Sequence, residues 1–464
     1  MLRPDSPPLS DSPQRPEGGG IDSAAQSLRE VAVLALPFVL TQLLFSMMGL
    51  VDAAIVGRLG ARELAAVGLS GTWLWTIASF FIGAASVVQT FVAQDHGAGR
   101  ERDCGGWAWQ GIGSTVPFAI ASALFLLFAA DSAIAWIAPS EGVESLSADY
   151  LRARAPGLVG LTAAIAVASF FRGIGDARTP LLATVFANGA NVFLDFGLVY
   201  GWFGFPELGV FGAGLATSIS EWLYLAFIAC AFLRPSVRAR FATGWRMPRL
   251  APVRRLWRIG LPVGGQWVVE MLAYSLFTTL VARMGDAAMA ASHAFGQLAS
   301  LSFMQAAGIS TATATLVGRY IGAGQPDRAA QRFRSSLVLG GSAGAAIAIA
   351  FLVVPESLVG LFSNDPGVLA LGAPLLAIGA FYQLFDALSV LSDGALRGAG
   401  DTRWPFVIRC LAAWLIFLPS AWLLAYRFEL GLTGAWIGGV FSSATLAIVL
   451  YRRFQSGAWR GMRI

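Results

Sequence analysis

The chain has 464 residues, of which 56% are hydrophobic and 13% charged, and its formal net charge is +5. A soluble domain usually carries about 25% charged residues. Apolar runs long enough to cross a bilayer, which takes roughly 20 helical residues, recur along the whole sequence. The composition therefore excludes a soluble globular protein and predicts a polytopic membrane protein. All 32 basic residues are Arg, and their distribution is interpreted as membrane topology, not as a nucleic-acid signal.

The first residues of the chain differ in composition from the rest. Residues 1–27 are rich in Pro, Ser and Gly and contain no apolar stretch, so residues 1–30 are predicted to form a disordered cytoplasmic tail. No apolar segment follows a basic start there, as a signal peptide would require. The first long helix, beginning near Val31, is predicted to be a membrane span.

Twelve transmembrane helices are predicted after the tail. They cover residues 31–56, 64–94, 104–130, 148–171, 180–201, 210–233, 257–282, 288–318, 333–354, 366–396, 404–426 and 432–451. The first six form a predicted N-lobe over 31–233, and the last six form a C-lobe over 257–451. Residues 234–256 are predicted to be a cytoplasmic linker, and residues 452–464 a cytoplasmic C-terminal tail.

The arginines are distributed unevenly between the two sides of the predicted membrane. If both termini are cytoplasmic, nearly all Arg residues outside the spans are cytoplasmic as well. The opposite side holds only Arg58, Arg62, Arg283 and Arg427. This positive-inside pattern predicts a multi-pass protein of the cell inner membrane with both termini in the cytoplasm.

An internal repeat relates the two predicted lobes. "RGIGDARTP" from Arg172 aligns with "RGAGDTRWP" from Arg397, an offset of 225 residues, and the same offset places Pro37 on Pro262. Each copy contains six helices, an even number, so both copies enter the membrane in the same sense. The repeat therefore predicts two six-helix lobes related by a pseudo-twofold axis along the membrane normal.

Charged residues inside the predicted spans are the strongest candidates for function. A charge at the bilayer centre costs about 2.5–3.5 kcal/mol or more, and it usually faces a bundle interior or a cavity. The candidates are Asp52, Asp195, Glu221, Glu270, Asp386, Asp393 and Arg409. The excess of acids over bases predicts a site for cations or protons.

Two helices of the N-lobe carry oxygen ligands at helical spacing. Asn191 and Asp195 are four residues apart and share one helix face, as do Ala213 and Thr217. Together with Asp52, a Thr hydroxyl and a nearby backbone carbonyl would suit a proton or a hard cation such as Na⁺. The alternative is that Asn191 makes an interhelical hydrogen bond and Asp195 pairs locally.

Two acids of the C-lobe lie among aromatic residues. Glu270 is in "GGQWVVEMLAYS" and Asp386 is in "FYQLFDALSVLSDGALRG", surroundings that favour binding of a lipophilic cation. Asp393 either contributes to this face or pairs with Arg397 or Arg409. Glu221 has no predicted role.

Motifs for other chemistry are absent from the sequence. The three Cys and two His are isolated, and there is no CxxC, HExxH or P-loop. The sequence therefore predicts no enzyme activity and no cofactor, and the intramembrane acids leave H⁺ or Na⁺ as the ion that would bind. The expected partners are small organic cations and the lipid bilayer, without nucleic acid, and the expected state is a monomer.

Several longer motifs resemble the multidrug and toxic compound extrusion (MATE) family. They include "VDAAIVGRLGARELAAVGL", "FFRGIGDARTP", "NVFLDFGLVYGWFGFPELGVFGAGLATS" and "SDGALRGAGDTRWP", and the pattern extends from about residue 30 to 450. The resemblance implies twelve helices in two lobes around a V-shaped cavity. It also implies cation-coupled export of drug-like organic cations by alternating access.

The resemblance also implies roles for individual residues. Asp52, Asn191, Asp195 and Thr217 match the family's N-lobe cation site, and Pro37 matches the proline at which helix 1 bends in some members. Glu270 and Asp386 match the C-lobe acids of the NorM-type branch. Many NorM-type members carry Asn at the position of Asp195, and the DinF-type branch typically lacks the C-lobe acids. The branch, and the lobe that binds the coupling ion, therefore stay open.

Three other functions compete with cation-coupled export. A lipid-linked oligosaccharide flippase would also have paired six-helix lobes, but would be expected to line its cavity with Arg for pyrophosphate. A major-facilitator transporter shares the parallel halves but not the motifs, and an exporter of another small metabolite is a further alternative.

Our hypothesis for Asp52 is that it binds and releases a coupling cation or proton.

Overall fold

The computed structural model describes residues 22–135, 141–462 and 464. Within these residues there are twelve long helices and no β-strand. The helices are α1 (Ala24–Val56), α2 (Ala61–Gly97), α3 (Glu101–Ala135), α4 (Glu141–Ile174), α5 (Arg178–Tyr200), α6 (Gly209–Phe232), α7 (Leu250–Ala282), α8 (Asp286–Gly322), α9 (Pro326–Val353), α10 (Pro366–Ala399), α11 (Arg403–Arg427) and α12 (Gly431–Gln455). The prediction of an all-α protein with twelve long helices is confirmed.

Ten of these helices are long and apolar enough to cross a membrane by length and composition. The two others, α7 and α8, are among the longest in the described chain but contain more polar residues. They occupy the positions in the C-lobe that α1 and α2 occupy in the N-lobe, so they complete its set of six helices.

Helix α1 begins earlier than the sequence predicted. Residues 24–30, predicted as part of a disordered tail, are helical, because Ser23 and Gln26 form a capping box that satisfies the first backbone N–H groups. Ser27 and Glu30 then contact the other lobe: the Ser27 hydroxyl lies 2.7 Å from that of Ser335. Residues 1–21 of the predicted tail lie outside the described residues.

The predicted linker and C-terminal tail are also shorter than expected. Residues 235–241 form a short helix, Pro235–Phe241, and α7 already begins at Leu250. The first turns of α7 are helical because Leu256 and Ile259 are buried against the core of the N-lobe. At the other end of the C-lobe, α12 continues past the predicted residue 451 to Gln455.

Two long helices contain irregular segments that the sequence analysis did not predict. The α-helical pattern of α2 is interrupted at Val87. Helix α11 contains two π-helical segments, Ala412–Phe417 and Leu423–Arg427, on either side of a short stretch that includes Pro419. Such segments widen the local turn and change the direction in which side chains point.

The same packing scheme occurs in both lobes. In the N-lobe, α1 packs against α5, α2 against α4, α4 against α3 and α6, and α5 against α6. In the C-lobe, α7 packs against α11, α8 against α10, α10 against α9 and α12, and α11 against α12. Between the lobes, α1 contacts α8 and α2 contacts α7, so exchanging the lobes exchanges these two contacts. This is the pseudo-twofold relation that the constant sequence offset predicts.

The two lobes contact each other near one end of the bundle. We call it the arginine-rich end: α1 starts there, α12 ends there, and the segment 233–250 lies there. The Gln94 amide donates to the carbonyl of Gly398 (3.2 Å), and the Gln89 amide donates to Thr315 (2.9 Å). A mixed core that includes Phe38 from α1 and Ile309 from α8 lies beside these bonds. The lobes are therefore joined in the half of the bundle that contains the arginine-rich end.

Glycine allows the lobe backbones to approach closely at this end. A Cβ atom on Gly97 of α2 would lie only 1.9 Å from the carbonyl oxygen of Arg319 in α8. Gly97→Ala is therefore expected to force the two backbones apart and to destabilise the protein by about 1–3 kcal/mol, the usual effect of overpacking. Thermal unfolding in detergent measures this effect.

Gly68→Ala is the matched control, because Gly68 is on the same helix and a Cβ there meets nothing within 4 Å. It should unfold within a degree or two of the wild type, since exposed substitutions usually change stability by about 0.5 kcal/mol or less. Equal melting temperatures for Gly97→Ala and Gly68→Ala would contradict a tight contact between α2 and α8.

Candidate ion and substrate sites

Three helices of the N-lobe bring the predicted cation ligands together. Asp52 is on α1, Asn191 and Asp195 are on α5, and Thr217 is on α6. Asn191 and Asp195 are fully buried, while Thr217 and Asp52 are 6% and 7% exposed. We call this group of four residues the N-lobe site.

The Thr217 hydroxyl joins two of these helices. Its oxygen lies 3.0 Å from Asp52 Oδ2 and 3.0 Å from the backbone carbonyl of Ala213. A hydroxyl has one proton, so it donates to one of these acceptors at a time. The geometry thus places the Ala213 carbonyl next to the Asp52 carboxylate, as the four-residue spacing on α6 suggested.

The remaining polar atoms of the N-lobe site have no hydrogen-bond partner of normal geometry in the described protein, although the side chains of Asn191 and Asp195 lie close enough to Asp52 to interact with it. They are Asp52 Oδ1, both side-chain polar atoms of Asn191 and both carboxylate oxygens of Asp195. Buried polar groups are almost always hydrogen-bonded, because leaving them unpaired is costly. Since Asp52 and Asp195 are neighbours that interact electrostatically, this cluster is suited to hold a positive charge between them.

Apolar side chains form much of the surroundings of the N-lobe site. A buried cluster that includes Ile55, Val56, Val199 and Val210 lies along the same helices. Tyr150 of α4 belongs to this cluster and lies near Asp52 and Asp195. In such a medium of low dielectric, a bound cation or proton interacts strongly with the two carboxylates.

A buried ion pair that the sequence analysis missed lies beside this site. Arg154 of α4 binds Glu221 of α6 through two parallel contacts, Nη1–Oε2 at 2.8 Å and Nη2–Oε1 at 2.9 Å. The Arg154 guanidinium also interacts electrostatically with Asp52. A sequence signal existed, because both residues are opposite charges inside predicted spans of one lobe. The predicted excess of six acids over one base is therefore too large.

The C-lobe acids are arranged differently from the N-lobe site. Glu270 of α7 accepts a hydrogen bond from Arg409 Nη1 of α11 at 2.7 Å, and Asp393 Oδ1 lies 3.7 Å from Arg409 Nε. Asp386 is half-buried on α10 and interacts electrostatically with both Glu270 and Arg409. Asp393 thus pairs with Arg409, one of the two expected alternatives, and the three acids share one guanidinium.

The lobes share a fold but not their charged groups. At the 225-residue offset, Asp52 falls on Phe277 and Asp195 falls on Ser420. Phe277 is fully buried, with ring centroids of Phe417 and Trp436 at 5.0 and 4.9 Å. Where the N-lobe has a polar site, the C-lobe therefore has an aromatic core, and its acids lie elsewhere.

Pro37 lies inside the continuous helix α1. A proline has no N–H to donate to the preceding turn, which weakens the helix at that point. The Thr41 hydroxyl donates to the Pro37 carbonyl at 2.8 Å. Pro37 lies in the half of α1 that contacts the C-lobe, whereas Asp52 lies near the opposite end of the helix.

The donor set restricts which ion could bind. No group of three His, Cys, Asp or Glu side chains that could hold a metal ion occurs in the described part of the chain. Two carboxylates, an amide oxygen, a hydroxyl and a carbonyl are instead hard oxygen donors, which suit Na⁺ or a proton better than a transition metal.

This duplicated six-helix architecture, with buried ionisable groups inside the lobes, is that of membrane transporters built from parallel repeats. The MatE family model matches residues 37–196 and matches again at residues 262–423, and the chain belongs to that family. The two matches begin at Pro37 and Pro262, which the internal repeat aligns.

A sequence relative supports this assignment, and two solved structures share the fold. The "probable multidrug resistance protein NorM" of Thermotoga maritima is 31% identical over 436 residues, covering 93% of each chain. The solved structure of the eukaryotic MATE transporter AtDTX14 has a TM-score of 0.84 at 21% identity, covering 95% of this chain and 98% of that one. A multidrug resistance MATE transporter in an outward-facing conformation has a TM-score of 0.86 at 20% identity, covering 96% of this chain and 100% of that one.

Proposed function

We propose that this protein is a secondary transporter, not an enzyme, and that it exports organic cations and drug-like compounds in exchange for H⁺ or Na⁺. The main support is the N-lobe site. Asp52, Asn191 and Asp195 are buried there, and five of their side-chain polar atoms have no hydrogen-bond partner of normal geometry in the described protein. The printed names of its relatives as multidrug resistance proteins support the substrate class.

The topology we propose places the arginine-rich end in the cytoplasm, with the protein in the cell inner membrane and working as a monomer. The support is the strong excess of Arg in segments at that end. Because the lobe contacts described above lie in that half of the bundle, the state that we propose for this structure in this topology is an outward-open one. The relative in an outward-facing conformation has a similar fold.

Coupling follows from the charges of the N-lobe site. Two neighbouring carboxylates repel each other in an apolar medium unless a cation or a proton lies between them. Ion binding from outside would remove this repulsion and let α1, which carries Asp52, repack against α5 and α6. Pro37 is a weak point of the same helix where a bend could form. The loaded and empty sites then favour different conformations, which is the condition for alternating access.

Substrate recognition is assigned to the C-lobe acids. The negative charge of Glu270 is balanced by its ion pair with Arg409. Asp386 is therefore the acid that attracts a positive group more strongly. Tyr382 lies beside Asp386, and its ring centroid is 6.4 Å from that of Trp436. A carboxylate next to aromatic rings binds a lipophilic cation through charge and ring-face contact.

Neutralising the C-lobe acids tests this assignment. Asp386→Asn and Glu270→Gln should each weaken export of cationic compounds, by at least about tenfold for Asp386→Asn, because losing a contact between a carboxylate and a cation costs roughly 1.5–3 kcal/mol. Ethidium resistance of a pump-deficient bacterial host measures the effect at equal membrane abundance. Glu356→Gln, an exposed acid on the short helix Pro355–Gly360, is the control and should confer wild-type resistance.

Wild-type resistance from both C-lobe variants would contradict a role of these acids in substrate binding.

The flippase alternative is disfavoured because the buried arginines Arg154 and Arg409 are bound to Glu221 and Glu270. They are therefore not free to bind a pyrophosphate.

A further inference from the structure

A basic pocket lies at the arginine-rich end, away from the sites described above. It has a volume of about 760 Å³ and is formed by the start of α3 and the segment 245–255. Four arginines line it, Arg100, Arg246, Arg249 and Arg255, together with the two acids Asp95 and Asp103. We call it the linker pocket.

The segment 245–255, which forms one side of the pocket, runs along α3 from its first residues towards its middle. Arg246 Nη1 lies next to Gly106, and Pro248 lies next to Gly113, where an added Cβ atom would be 2.1 Å from the proline ring. Gly113 is twelve residues into α3, which corresponds to about 18 Å along the helix axis. The segment thus reaches the depth at which a long membrane-spanning helix enters the lipid headgroup layer or the hydrocarbon.

The backbone of this segment is hydrogen-bonded to α3 side chains. The Gln110 amide donates to the Met247 carbonyl (3.3 Å), and its oxygen accepts from the Arg249 N–H (2.8 Å). The Trp109 indole donates to the Thr243 carbonyl at 3.0 Å. Non-helical backbone is tolerated at membrane depth when its polar groups are paired in this way.

Apolar side chains of the same segment are largely exposed, although the Trp245 ring also packs edge-on against Trp109 of α3, with ring centroids 4.8 Å apart. Trp245, Met247 and Leu250 are 69%, 77% and 84% exposed. They alternate with Arg246 and Arg249, which are exposed as well. Large apolar and basic side chains mixed in this way are typical of a surface that contacts lipid tails and headgroups together.

The charge in the pocket is only partly compensated. Arg100 pairs with Asp95, and Arg246 donates to the Arg102 carbonyl at 3.0 Å. Arg249 and Arg255 make no side-chain hydrogen bond or ion pair with residues 22–135, 141–462 or 464. With four arginines facing two carboxylates, the pocket attracts an anion, and an arginine fork suits phosphate oxygens.

We propose that the linker pocket binds the phosphate headgroup of an anionic phospholipid. Arg246, Arg249 and Arg255 contact the phosphate, and Trp245, Met247 and Leu250 contact the acyl chains. The segment 242–249 joins the two lobes, so the bound lipid also attaches this connection to the membrane. This inference does not depend on which ion or substrate the protein transports.

Native mass spectrometry of the full chain in detergent tests the proposal, with phosphatidylglycerol, phosphatidylcholine and inorganic phosphate added separately at equal concentration. The wild type should retain phosphatidylglycerol. The triple variant Arg246→Gln, Arg249→Gln, Arg255→Gln should retain it at least about tenfold less, since each arginine near an anionic lipid contributes measurably to binding. All three side chains are exposed, so the fold should persist, and the melting temperature verifies this.

The matched control is the triple variant Arg238→Gln, Arg254→Gln, Arg258→Gln, which removes the same charge from exposed residues that do not line the pocket. It should retain phosphatidylglycerol like the wild type. Equal retention by the two triple variants, or equal binding of phosphatidylcholine, would overturn the proposal. Inorganic phosphate bound as tightly as phosphatidylglycerol would also overturn it, because the pocket would then be a site for soluble anions.

Discussion

Asp52→Asn is expected to abolish efflux driven by an ion gradient, with a loss of at least about tenfold in the initial rate, since an amide can neither bind and release a proton nor balance Na⁺. Asn preserves the volume of the side chain and its contact with Thr217 at 3.0 Å. The change therefore removes a charge from the N-lobe site and little else. Ethidium efflux from energised vesicles, normalised to protein amount, measures the loss.

Two companion variants make the result specific. Asp195→Asn should cause a comparable loss, because Asp195 is the second buried carboxylate of the N-lobe site. Asp131→Asn should leave efflux unchanged, because its side chain is 62% exposed at the far end of α3. If Asp52 had only a packing role, Asn would be tolerated or even stabilising, and wild-type efflux by Asp52→Asn would rule out this carboxylate as the carrier of the coupling ion.

Arg154→Met is expected to destabilise the protein by about 3–5 kcal/mol, because it leaves the buried Glu221 carboxylate without its partner. The two side chains are only 12% and 9% exposed, so water cannot replace the lost contact. The double variant Arg154→Met, Glu221→Leu removes both charges, and it should recover most of the lost stability. Thermal unfolding of the purified variants in one detergent measures both effects.

Arg152→Met is the matched control on the same helix. Arg152 is 33% exposed and pairs with the exposed acids Asp131 and Asp149, so its loss should cost about 1 kcal/mol or less. A melting temperature of Arg154→Met equal to that of Arg152→Met would show that the Arg154–Glu221 pair does not stabilise the N-lobe. Efflux by the stable double variant then shows whether the charge of Arg154 also affects ion binding at Asp52.

Features that depend on periodicity could be predicted from the sequence. The apolar runs predicted twelve helices, and the offset that joins Arg172 to Arg397 predicted their pseudo-twofold packing. Both depend on patterns repeated over many residues, so small local effects do not disturb them. The spacing of Ala213 and Thr217 likewise placed a carbonyl beside the hydroxyl that contacts Asp52.

For most contacts between distant segments, the sequence marks candidate residues but does not say which of them pair. The pairing of Arg154 with Glu221 and of Glu270 with Arg409 joins different helices, and no periodic pattern specifies such partners. The early start of α1 combines a local signal that the sequence does contain, the Ser23–Gln26 capping box, with contacts to the other lobe such as that between Ser27 and Ser335. The composition rich in Pro, Ser and Gly predicted a disordered tail up to residue 30. Tertiary contacts override this weak local propensity.

Ion coupling is tested most directly by purified wild-type protein in proteoliposomes, with a Na⁺ gradient and a pH gradient imposed in separate experiments. We predict that one of these gradients drives ethidium against its own concentration gradient, and that Asp52→Asn reduces this movement to the level of protein-free vesicles. Ethidium movement that is only downhill and equal with either gradient or none would contradict cation-coupled antiport.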